Sequence, residues 1–108
     1  MTLKGPVLIV DDDPIYLELV VSTLAPKGYH FITFTNVSEA IKEVEDNLLY
    51  KIAFVDIHFP ENFSGEDLVE VSKRYNHQVP VYTISGHNWA LKGSDGIVVK
   101  NERFIQNI

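Results

Sequence analysis

Hydrophobic and polar positions along this chain follow two rhythms. Val7, Leu8, Ile9 and Val10 form an unbroken apolar run, β-branched at three of its four positions. Such a run suits a strand buried on both faces, as in a parallel sheet. It passes straight into Asp11, Asp12 and Asp13, and Pro14 follows. Asp13 before proline reads as an N-cap with proline at the first helical position. Ile15/Leu19 and Tyr16/Val20/Leu24 then recur at i, i+4 spacing and predict a helix with one apolar face, stopped by Pro26 and Gly28.

The alternation repeats. Residues 30–35 are aromatic and β-branched with partial alternation, which predicts a less buried strand. Asn36, with Glu39 three residues on, makes a capping-box-like start for a second helix. Ala40, Ile41, Val44 and Leu48 line one face of it, and Glu43, Glu45 and Asp46 the solvated side. Residues 52–56 repeat the opening pattern, an apolar strand that ends in Asp56. Ser64, with Asp67 three residues on, can cap a third helix with apolar positions Leu68, Val71 and Tyr75. Residues 79–84 predict a fourth strand leading to Ser85, and residues 96–100 a fifth ending in Lys100. Residues 101–108 have the length of about two helical turns.

Strands alternating with helix-length crossovers predict a parallel sheet with helices on both faces. One crossover is abnormal. Between Ser85 and the fifth strand, residues 88–92 make at most one helical turn, so the fourth helix is reduced or absent.

Composition narrows the class. The 108 residues fit one domain, residues 1–108, with no repeats or linker. The chain has no cysteine, which removes disulfides, thiolate metal sites and a cysteine nucleophile, and fits a cytoplasmic protein. A net charge of −6 argues against nucleic-acid binding, which wants a basic face. No apolar run approaches the roughly 20 residues of a membrane helix, and the first residues hold no signal-peptide hydrophobic region.

Four strand ends carry polar residues: Asp11, Asp12 and Asp13 on the first, Asp56 on the third, Ser85 on the fourth and Lys100 on the fifth. Open parallel sheets place ligands beyond those ends, where the strand order reverses. Carboxylates gathered at one point suit a hard cation such as Mg²⁺, which relieves their repulsion. A further aspartate beside it can act as a nucleophile toward phosphorus. A lysine and a hydroxyl can hold the phosphoryl oxygens.

"VLIVDDDP", "IAFVDIHFP" followed by Gly65, "PVYTISG" and "GIVVK" occur in this order with this spacing. Together they resemble the receiver (phosphoacceptor) domain of two-component response regulators over essentially the whole chain. The resemblance implies a flavodoxin-like α/β three-layer sandwich with strand order 2-1-3-4-5. It implies phosphorylation of Asp56 by a histidine kinase or histidine phosphotransfer protein, in a signalling domain and not an enzyme. It also implies Mg²⁺ held by Asp11, Asp12, Asp56 and the backbone carbonyl of His58, with Ser85 and Lys100 on the phosphoryl group. Output would then be by altered protein contact, with a second copy of the chain as one candidate partner.

The chain departs from the family pattern at several points. Asn101 replaces the proline usual after the lysine, and Ile97 stands at the aromatic switch position of the fifth strand. The loop from Asp56 to Gly65 is one residue longer than usual, and the last helix is short. These departures motivate an alternative, a receiver-like interaction or dimerisation module that works without phosphorylation. Trp89, Phe59 and Phe63 are interface or core residues, and the side chains of His58 and His87 are expected to face solvent.

Overall fold

The computed structural model describes residues 6–28, 30–56, 65–85 and 91–99. Strands β1 (Pro6–Val10), β2 (His30–Phe34), β3 (Ile52–Asp56), β4 (Val81–Ser85) and β5 (Gly96–Val99) form one sheet in the order β2-β1-β3-β4-β5. Every pairing is parallel. Helices α1 (Pro14–Leu24), α2 (Val37–Glu45) and α3 (Gly65–Tyr75) are the α-helices among the described residues. This is the expected flavodoxin-like order, with strand direction set by crossover helices that carry the chain back across the sheet.

The central strand shows why its sequence has no alternation. Leu8 and Val10 pack with Val37, Ala40, Val44, Leu68 and Val69 from α2 and α3. Val7 and Ile9 pack on the opposite face with Tyr16, Leu17 and Val20 of α1. Val7, Leu8, Ile9 and Val10 are all fully buried, each contributing about 1.5–3 kcal/mol of apolar transfer energy. β2 is an edge strand with no fully buried residue, in keeping with its mixed sequence. On the α1 side the rings of Phe54 and Tyr82 stack with centroids 5.9 Å apart.

The caps form as the sequence predicts. Asp13 has extended backbone and its Oδ1 accepts from the N–H of Ile15 at 3.0 Å and of Tyr16 at 3.3 Å. Asn36 Oδ1 accepts from the Glu39 N–H at 2.8 Å.

Two helix faces differ from the expectation. On α1, Tyr16, Leu17 and Val20 turn inward while Ile15 and Leu19 are exposed. The i, i+4 rows were two neighbouring rows, and only one meets the sheet. On α3, Leu68, Val69 and Ser72 are buried and Tyr75 is exposed. Of the expected Leu68, Val71 and Tyr75, Leu68 is buried and Val71 packs partly buried against the core, while Tyr75 points out and a polar Ser72 lies inward. Tyr50 explains the polarity: its hydroxyl hydrogen-bonds Ser72 Oγ and accepts from Asn76 Nδ2 at 3.1 Å. Leu48, expected on α2, follows the end of that helix and packs partly buried against the core. Asn47, with a φ of 72°, turns the chain there, a left-handed conformation that asparagine adopts more readily than most residues.

Between β4 and β5, the described residues 91–95 form turns and no helix. Leu91 is buried. Its N–H donates to Thr83 Oγ1 at 2.9 Å, and Thr83 Oγ1 bonds Ser94 Oγ at 2.9 Å. Asp95 accepts from the Val81 N–H at 2.7 Å and from Lys73 of α3. A short polar connection thus ties β4 to α3 directly. The expected capping Ser64, the 57–64 loop with Phe59 and Phe63, His87, Trp89, Asn101 and the C-terminal helix lie outside the described residues.

Candidate functional site

The sheet register brings the acidic strand ends level. Val10 pairs with Val55, so Asp11 and Asp56 come next on adjacent strands. Asp56 pairs across β4 with Ile84, and Ser85 with Val99 of β5. Asp11, Asp56, Ser85 and the chain leading into Lys100 therefore share one edge of the sheet, at its carboxyl end.

Asp11 is fully buried and Asp56 is 4% exposed, whereas Asp12 faces solvent. The three side chains each present a carboxylate oxygen, all within 4.8 Å of one another. Two like charges at such a distance repel by about 1 kcal/mol in water and about 3 kcal/mol in the medium of a protein surface. The fold sustains that repulsion by rigid backbone placement. The Asp11 N–H donates to Phe34 O at 3.1 Å, and Asp11 Oδ1 accepts from the Asp13 N–H at 2.9 Å. Asp13 in turn caps α1. The third aspartate thus serves the helix and fixes Asp11, while Asp11, Asp12 and Asp56 form the cluster.

The donor set fits a hard divalent cation. Three anionic oxygens, two from largely desolvated side chains, suit Mg²⁺ better than a soft metal. Asp11, Asp12 and Asp56 are the described residues that would hold it. His58 and Lys100 lie outside the described residues, as does the side chain of Ser85, whose backbone closes β4.

Tyr16 was expected only as part of an apolar face. Its ring is buried between α1 and the sheet, and its hydroxyl oxygen is buried with it. Burial, and then the charges of Asp11 and Asp56, push its pKa well above the ordinary phenol value. Thr83 is a second residue with a role beyond its strand propensity. The signal for both is the same: a hydroxyl inside a segment whose inward positions are otherwise apolar.

Gly65 opens α3 against the site. A Cβ there would lie 2.9 Å from the Asp56 carbonyl oxygen and 2.8 Å from Leu91 Cδ1. The absence of a side chain lets α3 start directly behind the aspartate.

Among the described residues no helix is long and apolar enough to cross a membrane. The chain is 36% identical over 95 residues to a two-component response regulator of Oryza sativa subsp. japonica, an alignment covering 86% of this chain and 14% of that protein. It thus spans a small part of the length of that relative. Its fold matches a CheY-like response regulator receiver domain protein from Methanospirillum hungatei JF-1 with a TM-score of 0.81, at 25% identity, over 98% of this chain and 90% of the other. It matches the response regulator protein TrrA from Thermotoga maritima, solved in complex with Mg²⁺-BeF, with a TM-score of 0.79 at 24% identity, over 94% of this chain and 91% of that one. The family model of the response regulator receiver domain matches residues 7–106, and the chain with its paired acidic strand ends belongs to that family.

Proposed function

We propose that this chain is a phosphoacceptor: it takes a phosphoryl group on Asp56, with Mg²⁺, and signals by altered protein contact. The observation that carries the reading is the buried Asp56 carboxylate clustered with Asp11 and Asp12 within 4.8 Å. A desolvated aspartate at a sheet edge is a nucleophile with few competing hydrogen bonds to water.

The donor is a phosphohistidine of a histidine kinase or phosphotransfer protein, in the cytoplasm. An Asp56 carboxylate oxygen attacks phosphorus and forms the O–P bond. The N–P bond breaks, and its electron pair returns to the imidazole nitrogen, which takes a proton. Mg²⁺, when bound, neutralises the charge of the aspartates and the phosphoryl oxygens. Asp11, Asp12 and Asp56 would hold that cation, joined by the His58 backbone carbonyl. Ser85 would bond the phosphoryl group, and Lys100 would pair with Asp56 and then with the phosphate. The likeness to TrrA, whose structure carries Mg²⁺-BeF, supports the assignment of the cation.

The test is direct. The protein is incubated with MgCl₂ and acetyl phosphate, and intact mass is followed. A base-labile phosphoryl adduct should form, disappear in Asp56→Asn, and be lost with chelator. No adduct, under conditions where another receiver domain reacts, would leave the phosphorylation-independent interaction module as the better account.

A further inference from the structure

The segment from residue 91 to residue 95 is fastened to two elements that adjoin Asp56. On the β4 side, the Leu91 N–H donates to Thr83 Oγ1 at 2.9 Å, and Thr83 pairs with Val55, the residue before Asp56. On the α3 side, the Lys92 N–H donates to Glu66 Oε2 at 3.0 Å. Glu66 follows Gly65, where an added Cβ would meet both the Asp56 carbonyl oxygen and Leu91 Cδ1. Leu91, Gly65 and the Asp56 backbone are thus packed with no room for a methyl group between them.

The attachments differ in strength. Leu91 is buried and joins the core of Val55, Leu68, Val69 and Val81. Asp95 holds the other end through the Val81 N–H and Lys73. Lys92 and Glu66 between them are exposed, so their hydrogen bond competes with water and adds little net stability. Gly93, with a φ of 88°, lets the chain turn there. The segment is a strap, anchored at Leu91 and Asp95 and lightly latched at Lys92. It walls an open groove of about 460 Å³ whose lining includes Glu66, Val69, Lys73, Lys92 and Gly93.

The latch stands one residue from a contact with Asp56. Without a cation, Asp11, Asp12 and Asp56 repel one another at the end of β3. A bound divalent cation removes that repulsion and fixes the strand end on which Gly65 rests. Glu66 is then a better-fixed acceptor for the Lys92 N–H. We infer that residues 91–95 form a state-dependent strap: the Glu66–Lys92 latch closes more firmly when Asp56 carries a phosphoryl group with Mg²⁺, and so carries the state of Asp56 to the groove beside α3. This rests on the phosphoacceptor reading above. Linkage makes the coupling reciprocal: a chain with its latch broken binds the cation and phosphoryl mimic more weakly.

The experiment uses the full chain, with MgCl₂ and beryllium fluoride as the stand-in for the phosphoryl group. Amide hydrogen exchange at Leu91 and Lys92 is followed by NMR. Protection of both amides should rise about fivefold or more with the probe, and should not rise in Asp56→Asn. The Asn47 amide, bonded to Val44 O at 3.1 Å where α2 leads towards the start of β3, is the control and should not change. Glu66→Ala should melt close to wild type, lose the response at Lys92 and bind the probe about fivefold or more weakly. Glu66→Gln keeps an acceptor oxygen and should behave as wild type. A glutamine variant that matches the alanine one would assign the effect to charge and overturn the latch. Unchanged exchange at Leu91 and Lys92 in a wild-type protein that binds the probe would overturn the inference and leave the phosphoacceptor reading intact. A wild-type protein that neither binds the probe nor forms a phosphoryl adduct would overturn both.

Discussion

The N–H of Leu91 donates to Thr83 Oγ1 at 2.9 Å, inside the protein, where Thr83 has no exposed surface. A threonine side chain thereby takes over a backbone donor that a crossover helix would have satisfied internally. The same oxygen bonds Ser94 Oγ, so one β4 hydroxyl organises the connection to β5. Thr83→Val keeps the shape and removes the oxygen that bonds both Leu91 N–H and Ser94 Oγ. We expect it to lower unfolding free energy by about 1–3 kcal/mol, because a buried N–H is left unmet. Thr83→Ser should recover most of that loss. Urea denaturation of the three proteins decides it, and equal midpoints for Thr83→Val and wild type would contradict the role.

Gly65 is fixed by steric contact. An added Cβ meets both the Asp56 carbonyl oxygen and Leu91 Cδ1 below 3 Å. A side-chain tip can rotate away, but the carbonyl of a central strand cannot. Gly65→Ala should therefore destabilise by about 1–3 kcal/mol. Adding Leu91→Ala should relieve only the Leu91 part of the clash. A double-mutant cycle reads the coupling: a Gly65→Ala penalty that vanishes in the Leu91→Ala background would show that the Asp56 carbonyl is no obstacle.

Much of this arrangement is legible in the sequence, and the exceptions have a common cause. The β1 run, the Asp13-Pro14 cap and the aspartates at strand ends are signals local in the chain, and the parallel sheet turns them into one site. The inward face of α1 is not local. Ile15/Leu19 and Tyr16/Val20 have the same spacing, and only the sheet selects between them. The same holds for α3, where Tyr50 makes a polar Ser72 an acceptable inward residue. Leu91 is the extreme case. Its burial depends on Gly65 and Thr83, which belong to separate elements.

Asp95 gives a pH-dependent contribution. Its side chain accepts from Lys73 and from the Val81 N–H, and these hydrogen bonds hold its pKa below the ordinary carboxylate value against a smaller opposing effect of burial. A folded-state pKa below the unfolded one means stability that is present above the unfolded value, near pH 4, and lost as pH falls through the folded value. The side chain is 41% exposed, so solvent screening keeps the effect small. Asp95→Asn should lower the urea midpoint at pH 7 and hardly alter it at pH 2. An equal loss at both pH values would assign the effect to packing.

Asp12 should behave differently with and without metal. It is the exposed member of a cluster whose carboxylate oxygens lie within 4.8 Å of one another. Without a cation its charge only adds repulsion to Asp11 and Asp56, by about 1 kcal/mol or less at an exposed, screened position. Asp12→Asn should thus melt slightly higher than wild type in chelator. With Mg²⁺ the order should reverse. On the phosphoacceptor reading, wild type gains stability as free Mg²⁺ exceeds its dissociation constant, by mass action on the folded state, while the variant would lack one anionic ligand and gain little. The crossing of the two melting curves with added MgCl₂ is the signature of a functional cluster kept at a cost in stability. If Asp12→Asn melts lower than wild type in chelator, the three carboxylates are not straining the metal-free fold.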